Sequence, residues 1–552
     1  MHSSIVRHDA VRPRRVPRPR TCVVLASCAV LAFSIPVASS GAATAPPVTS
    51  FSFVGHGFGP GFGMGQWGAF GDAVRYHETY TQILDHFYGG TVASSLKGSR
   101  LGVNPVISVA ILENVNAKGT VGYDPVVTSP SAFTITSAGS APPTTTTTSS
   151  TTSTTSIPTT TTSTTPPTTL APTTSTQPSS TTTIPPTTSS TTTTSSTSTT
   201  TTTSPTTTTS PTSATMTSAT TTSATTLPPT TTSTVTSRVL TVRAGVAVDL
   251  RLTRAGTWSV YEGASCSAAK AAAGGSRPIA TGYVDPTIRP ADASPNAAPE
   301  TLLTLCRYDG IDEVVRGDIE AYDRTGYERT LNVLPLQSYL DGVVPAEESP
   351  AWGTAGAFTG APQGHAWGFQ TLEAQAIASR SYAVSEMESG GWEGYASVCD
   401  TVCEAYVGER FESPLTNAAV AATSGEVRAE TSTGAVALTS YSASSGGWTA
   451  QSAFPAVPDV GDVCVVQGNP LECNPNHTWR TSVSAALVNR DFRGIGRVVG
   501  VSIISRNRRG SFGGRVELIV VSGTTSTTTV TGLSFASSLK LPSDWFAVAS
   551  SA

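Results

Sequence analysis

The chain is short of charge. Asp, Glu, Lys and Arg make up only 13% of its 552 residues, and none of them occurs between Asp124 and Arg238. Aromatic residues are thin as well, at 7%, so the globular part must be smaller than the length suggests. No apolar run reaches the roughly 20 residues of a helical membrane span; the longest, Cys22 to Val37, has 16. Basic patches of the kind that bind nucleic acid are also missing. The net charge is −4, and because residues 1–42 alone carry +5, the remainder stands at −9.

Those first 42 residues have the order of an export signal. Arg7, Arg12, Arg14, Arg15, Arg18 and Arg20 precede the apolar run, and small residues follow it. A cleaved signal and a retained anchor are the two readings, and a membrane is a partner only under the second. Leu25 to Cys28 also has the outline of a lipoprotein box. Export bears on the cysteines, because an oxidising compartment favours disulfides. Outside the leader stand Cys266, Cys306, Cys399, Cys403, Cys464 and Cys473. Six cysteines allow fifteen connectivities; nearness in the chain favours 266 with 306, 399 with 403, and 464 with 473. A zinc site at Cys399 and Cys403 is the competing reading, but no histidine lies beside them. The expectation is no metal and no cofactor.

What the chain does have comes in blocks. Residues 51–75, FSFVGHGFGPGFGMGQWGAFGDAVR, are rich in glycine, which admits positive φ and close approach to the backbone. No Gly-Lys-Ser/Thr and no strand-turn-helix frame accompanies them, which excludes a phosphate loop. They read as a tight loop in which His56 and Gln66 have polar groups to offer. Next, Tyr76, Tyr80, Ile83, Leu84 and Phe87 fall at helical spacing. Short strand-like runs follow to Thr136. Residues 142–237 are then almost wholly Thr, Ser and Pro, with too little apolar surface to offset the entropy of ordering. Strand patterning resumes at Arg238, so the tract is expected to be a disordered tether inserted between two strands of one small β domain. Loop closure permits this because its cost grows only logarithmically with length.

The stretch from Leu331 to Met387 concentrates the chemistry. Adjacent Glu347 and Glu348 are flanked in sequence by Tyr339, Trp352 and Trp367. A short helix is expected to end at Gly342, leaving Pro345-Ala346-Glu347 on a loop. A second helix is expected to be capped by Thr371, with Leu372, Ala376, Ala383 and Met387 on one core stripe. A carboxyl beside aromatic rings is desolvated and its pKa rises toward the range of a general acid. A solvated surface pair of glutamates is the plainer alternative.

The run YLDGVVPAEESPAWG followed by LEAQAIASRSYAV resembles the signature of the SpoIID/LytB family, the sporulation protein D and amidase-enhancer proteins of bacterial peptidoglycan remodelling. VCDTVCEAYVGERFESPLTNAAVAATSGEV, ALTSYSASSGGWT, GGRVELIVVSG and LSFASSLKLPSDWF continue the likeness, and GHGFGPGFGMGQWGAFGDA is similar to its Gly-rich motif. The resemblance implies a secreted cell-wall protein acting on peptidoglycan glycan strands as a lytic transglycosylase, with Glu347 as the catalytic acid and Glu348 the weaker candidate. It also implies sugar-contacting or supporting roles for His56, Gln66, Arg380, Tyr382, Tyr441, Ser444 and Ser445. The alternative it leaves is a non-catalytic enhancer or wall-binding protein whose partner is a cell-wall amidase. In the family, cysteines and a histidine near the CDT segment can bind zinc; here the histidine is absent.

Three departures stand out. The Gly-rich motif precedes the Glu347 stretch instead of following it, the segment TAGAFTGAPQGHAWG lengthens the connection after Glu347, and Gln337 stands where an acidic residue is usual. The expected fold is α+β, with a SpoIID-like catalytic core over 321–548 that is helical around 331–390. Residues 51–136 open the same region, and 238–320 continue the smaller β domain across the tether.

Overall fold

A computed structural model describes residues 48–112, 114, 124–137, 238–463 and 473–551. The leader, the Thr/Ser/Pro tract and Cys464 lie outside the described residues, as does the smaller of two compact units, Thr144–Thr234. The described residues belong to the larger unit and are α+β. Their helices are Gln66–Tyr76 (α1), Tyr80–Phe87 (α2), Cys266–Ala273 (α3), Leu336–Glu347 (α4), Phe369–Glu388 (α5), Pro414–Ala422 (α6), Ala485–Asp491 (α7) and Gly532–Leu539 (α8). No helix among the described residues is long and apolar enough to cross a membrane.

Two sheets share one core. A seven-stranded sheet runs in the order 398–399, 106–110, 327–335, 318–324, 287–289, 133–136, 239–242. A six-stranded sheet runs 280–283, 258–263, 247–252, 126–128, 303–305, 313–315. Alternating apolar residues such as Ile107, Val109, Ile135, Val248, Leu250 and Val260 meet between them. The strands Phe133–Thr136 and Val239–Val242 stand on either side of the Thr/Ser/Pro tract and pair with each other, Phe133 opposite Val242.

A separate apolar cluster joins the two ends of the chain. Ser50–His56 lies between Thr478–Ser484 and Phe546–Ser551, burying Phe51 and Phe53 against Phe535 and Phe546. The early Gly-rich segment is thereby carried to the C-terminal side of the fold. Gly57, Gly59, Gly61 and Gly63 all have positive φ. At Gly63 a side chain would run into the Ser440 carbonyl. Met64–Gly65 then pairs in parallel with Tyr441–Ser442.

The helices differ from the sequence expectation in instructive ways. α4 does not end at Gly342 but continues through Pro345 to Glu347. Gly342 is there for contact, since a Cβ would sit 2.7 Å from the Gly408 oxygen and 3.0 Å from the Tyr406 ring. Thr371 is not a cap; α5 starts at Phe369, and Phe369 to Val384 are buried without interruption. α1, α2, α4, α6 and the strand Glu426–Glu430 pack against α5, so its polar residues are as buried as its apolar stripe. α1 and α2 break at His77, which adopts φ 58, and α2 restarts with a Thr79–Gln82 capping box.

Candidate active site

Glu347 is the last residue of α4 and is half-buried. Its Oε1 accepts from the Ala405 backbone N–H at 2.6 Å and lies 3.2 Å from the Tyr441 hydroxyl. Its Oε2 accepts from Gln66 Nε2 at 3.2 Å. Burial raises its pKa, and these three donors pull the other way. The negative end of the α4 dipole adds to the upward push.

Glu404 is fully buried beside it. Its Oε1 is 2.8 Å from the Tyr441 hydroxyl, and its Oε2 accepts from the Tyr339 hydroxyl at 2.9 Å. Burial pushes the Glu404 carboxyl up to about 8, against the hydrogen bonds it receives. One tyrosine thus stands between two carboxyls. Tyr441 is approached on a third side by Ser379 Oγ at 3.3 Å; Ser379 accepts from Gln375 Nε2 at 3.0 Å, and Gln375 Oε1 faces Gln66 Nε2 at 3.4 Å. Glu347, Gln66, Gln375, Ser379 and Tyr441 therefore close a ring of hydrogen bonds.

Local geometry explains how Glu404 is held. Val398–Cys399 pairs in parallel with Val106–Ala110 and forms the edge of the seven-stranded sheet. A disulfide joins Cys399 to Cys403, and Asp400 on the same turn accepts from the Leu112 N–H at 2.9 Å. The stapled turn delivers both the Glu404 carboxyl and the Ala405 N–H. Tyr339, stacked on Tyr406 at 5.2 Å, closes the inner side.

The remaining sequence candidates are distributed elsewhere. Glu348 is 1% exposed and turns to Thr371 Oγ1, 3.1 and 3.3 Å from its two oxygens. Burial and the nearby Glu347 hold its pKa well above the usual range. Arg380, fully buried, donates to the Val420 and Glu426 carbonyls and to Thr423 Oγ1; burial lowers it to about 10. That guanidinium ties α5 to α6. Tyr382 packs near the Cys399–Cys403 disulfide. His56, Ser444 and Ser445 gather in a different place. Ser444 donates to Asp462 at 2.9 Å, Asp462 also holds His477 Nδ1 at 3.2 Å, and the His56 ring lies against His477, Phe512 and Trp545. Both serines have zero exposure, so neither is placed to touch a sugar. The tryptophans invoked to desolvate Glu347 do other work. Trp352 stacks on Phe70 at 4.5 Å and Trp367 on His77 at 4.8 Å.

Cys266 is bonded to Cys306, and Cys473 is disulfide-bonded. The sulfurs of both disulfides at 266–306 and 399–403 are thereby withdrawn from metal ligation. Glu404 was missed in the sequence, where it stands among Asp400, Glu409, Arg410 and Glu412 and only the nearby Tyr406 gives it an aromatic neighbour. Gln375 and Ser379 carried no mark either.

No curated protein and no solved structure matches the chain. A family model described as Stage II sporulation protein, SpoIID, matches residues 324–429. The match takes in α4, α5, the stapled turn and α6; Gln66 and Tyr441 lie beyond it. The matched residues form a SpoIID domain, which is consistent with a SpoIID/LytB family protein and suggests a cell-wall-related role.

Proposed function

We propose that this protein is exported to the cell wall and cleaves peptidoglycan glycan strands as a lytic transglycosylase, with Glu347 as its acid and base. The observation that carries this reading is the unequal exposure of the three clustered carboxyls. Glu348 and Glu404 are sealed, and Glu347 alone keeps a face toward solvent. An ordinary glycosidase needs two carboxyls flanking the scissile bond. A single accessible carboxyl suits a reaction in which the sugar supplies its own nucleophile. Protonated Glu347 gives its proton to the departing glycosidic oxygen; the muramic acid C6 hydroxyl then attacks C1 and returns a proton to the carboxylate, leaving a 1,6-anhydro end. The Ala405 N–H and the Gln66 amide hold the carboxylate in place between the two transfers. Formed disulfides support an oxidising compartment.

The test is digestion of purified, peptide-free glycan strands by the full chain, with mass spectrometry of the ends. Anhydro-muramyl ends from the parent and none from Glu347→Gln are expected. Equal release by both chains defeats the assignment of Glu347. No cleavage by the parent, combined with faster cleavage by an added cell-wall amidase, identifies the enhancer role instead.

A further inference from the structure

The reading above asks Glu347 to be protonated when substrate arrives, yet three hydrogen-bond donors converge on its two oxygens. Donors aimed at a carboxylate favour its charged form. One of those donors, the Tyr441 hydroxyl, also reaches Glu404. We propose that Glu404 is the proton store for Glu347 and that the Tyr441 hydroxyl passes the proton between them. This rests on the reading of Glu347 as proton donor.

Donor counting argues for it. The Tyr441 hydroxyl has one hydrogen and two carboxyl oxygens in reach, Glu404 Oε1 at 2.8 Å and Glu347 Oε1 at 3.2 Å. Ser379, which accepts from the Gln375 amide, has one hydrogen, within reach of both the tyrosine oxygen and Glu404. Tyr339 already donates to the far oxygen of Glu404. With both carboxyls ionised, one oxygen facing Tyr441 has no proton to receive from it. With one proton between them, both arrangements are satisfied: Glu404–H to Tyr441 and Tyr441–H to Glu347, or the mirror.

The groups around Glu404 support retention of that proton. Tyr88, Tyr339, Tyr382, Tyr441, Glu347 and Glu348 are the titratable groups that face the pair, and every one is pushed toward its neutral form by burial. Arg428, the cation acting on Tyr88, is engaged with Asp85 at 2.7 Å. No ion pair among the described residues reaches Glu347 or Glu404.

The transfer balances. Glu404 releases its proton to the Tyr441 oxygen as Tyr441 releases its own to Glu347 Oε1, giving Glu404 carboxylate, intact Tyr441 and Glu347 acid. Glu347 then protonates the leaving oxygen. The C6 hydroxyl proton returns to Glu347 and, by the reverse relay, to Glu404, so no net proton is consumed. Glu404 touches no substrate and acts as a positioning residue for the proton.

Two readouts on the full chain test this. In the rate–pH profile, Glu404→Gln keeps the hydrogen bonds to Tyr339 and Tyr441 but cannot release a proton. Its alkaline limb moves to lower pH, with roughly tenfold loss at pH 8 and little change at pH 5. Tyr441→Phe, which keeps the ring should Glu404→Gln misfold, shows the same loss at high pH. A profile lowered equally at every pH overturns the proposal, since that is what a structural role gives. Infrared spectroscopy reads the second. Among the protonated-carboxyl bands present at pH 7, one should be lost in Glu404→Gln and shifted in Tyr441→Phe; a Glu404→Gln spectrum with no band lost, or a Tyr441→Phe spectrum with none shifted, overturns the relay whatever the glycan assay shows. If the parent cleaves no glycan, the reading of function fails while the infrared result still decides whether the proton is shared.

Discussion

Two places in this fold bury acidic residues side by side, and they solve the problem differently. On the six-stranded sheet Asp124 and Asp249 are both fully buried and share Arg251, at 3.1 and 2.8 Å. Tyr308 donates to Asp124 at 2.6 Å and accepts from Arg251 at 2.7 Å. Around Glu347 and Glu404 the described residues place no cation, only hydroxyls, amides and one backbone N–H. A cation draws its carboxyls toward their charged form and ties the cluster together as a strut. Neutral donors leave the proton count adjustable, and an adjustable proton count is what acid and base chemistry needs.

The largest expected effect separates the two clusters by activity. Glu347→Gln should lower the rate of glycan cleavage by about 10²–10⁴-fold, while thermal unfolding at pH 7 shows a midpoint equal to or above the parent's. The amide can still accept from Ala405, and a desolvated acid has been removed. A large loss of stability would place Glu347 with the struts.

Breaking the strut should do the opposite. Arg251→Met leaves Asp124 and Asp249 buried together without their direct ion-pair partner, only Lys270 acting on them from farther off, which should cost about 3 kcal/mol in denaturant unfolding. Cleavage per folded molecule should be unchanged. An unaltered unfolding midpoint would mean that the two aspartates already share a proton and need no guanidinium.

This contrast also explains what could be read from the sequence. The strands were legible because Ile107, Val109 and Ile135 alternate with outward residues, and the pairing of 133–136 with 239–242 across the Thr/Ser/Pro tract follows from pattern on both sides of it. Glu347 stood out as an acid in a charge-poor stretch. What escaped was everything set by burial on all sides. Thr371 looked like a cap because a hydroxyl near a helix start usually is one, yet it lies within the first turn of α5 and serves Glu348. Gly342 looked like a stop signal, but its missing side chain makes room for Gly408 and Tyr406. Gln375 and Ser379 lie off the apolar stripe of α5, yet α5 is buried on that side as well. Pairing of Ser50–His56 with the C-terminal strands is a contact across nearly the whole chain, beyond the reach of any local pattern.

A smaller effect is the pH dependence of stability. Glu404 is raised to about 8 from an ordinary value of 4.5, so between those pH values the folded chain holds a proton that the unfolded chain has lost. Stability therefore falls as pH rises through this window. Asp249, raised to about 7 by burial and by Asp124, adds a decline of the same sign from the strut. The comparison is sharpened by subtraction: Glu404→Gln should make the fall in melting temperature between pH 5 and 8 shallower, leaving the share of Asp249 and of Asp72, Asp341 and Glu373, which burial also raises to about 7. A slope identical to the parent's would show that Glu404 is ionised throughout.

The smallest effect concerns the third carboxyl, which belongs to neither class. Glu348 has one hydroxyl partner, Thr371, and almost no exposure. If it is a neutral plug, Thr371→Val removes one neutral hydrogen bond at nearly constant volume and should cost about 1 kcal/mol. That cost should be flat from pH 5 to 8, because a group already uncharged has no proton to lose. Were Glu348 ionised, the same substitution would strip a buried charge of its donor, and the cost would grow as pH rises. Denaturant unfolding of Thr371→Val at two pH values distinguishes the cases. A flat cost confines the mobile proton to the Glu347–Tyr441–Glu404 path, and a rising one brings Glu348 into it.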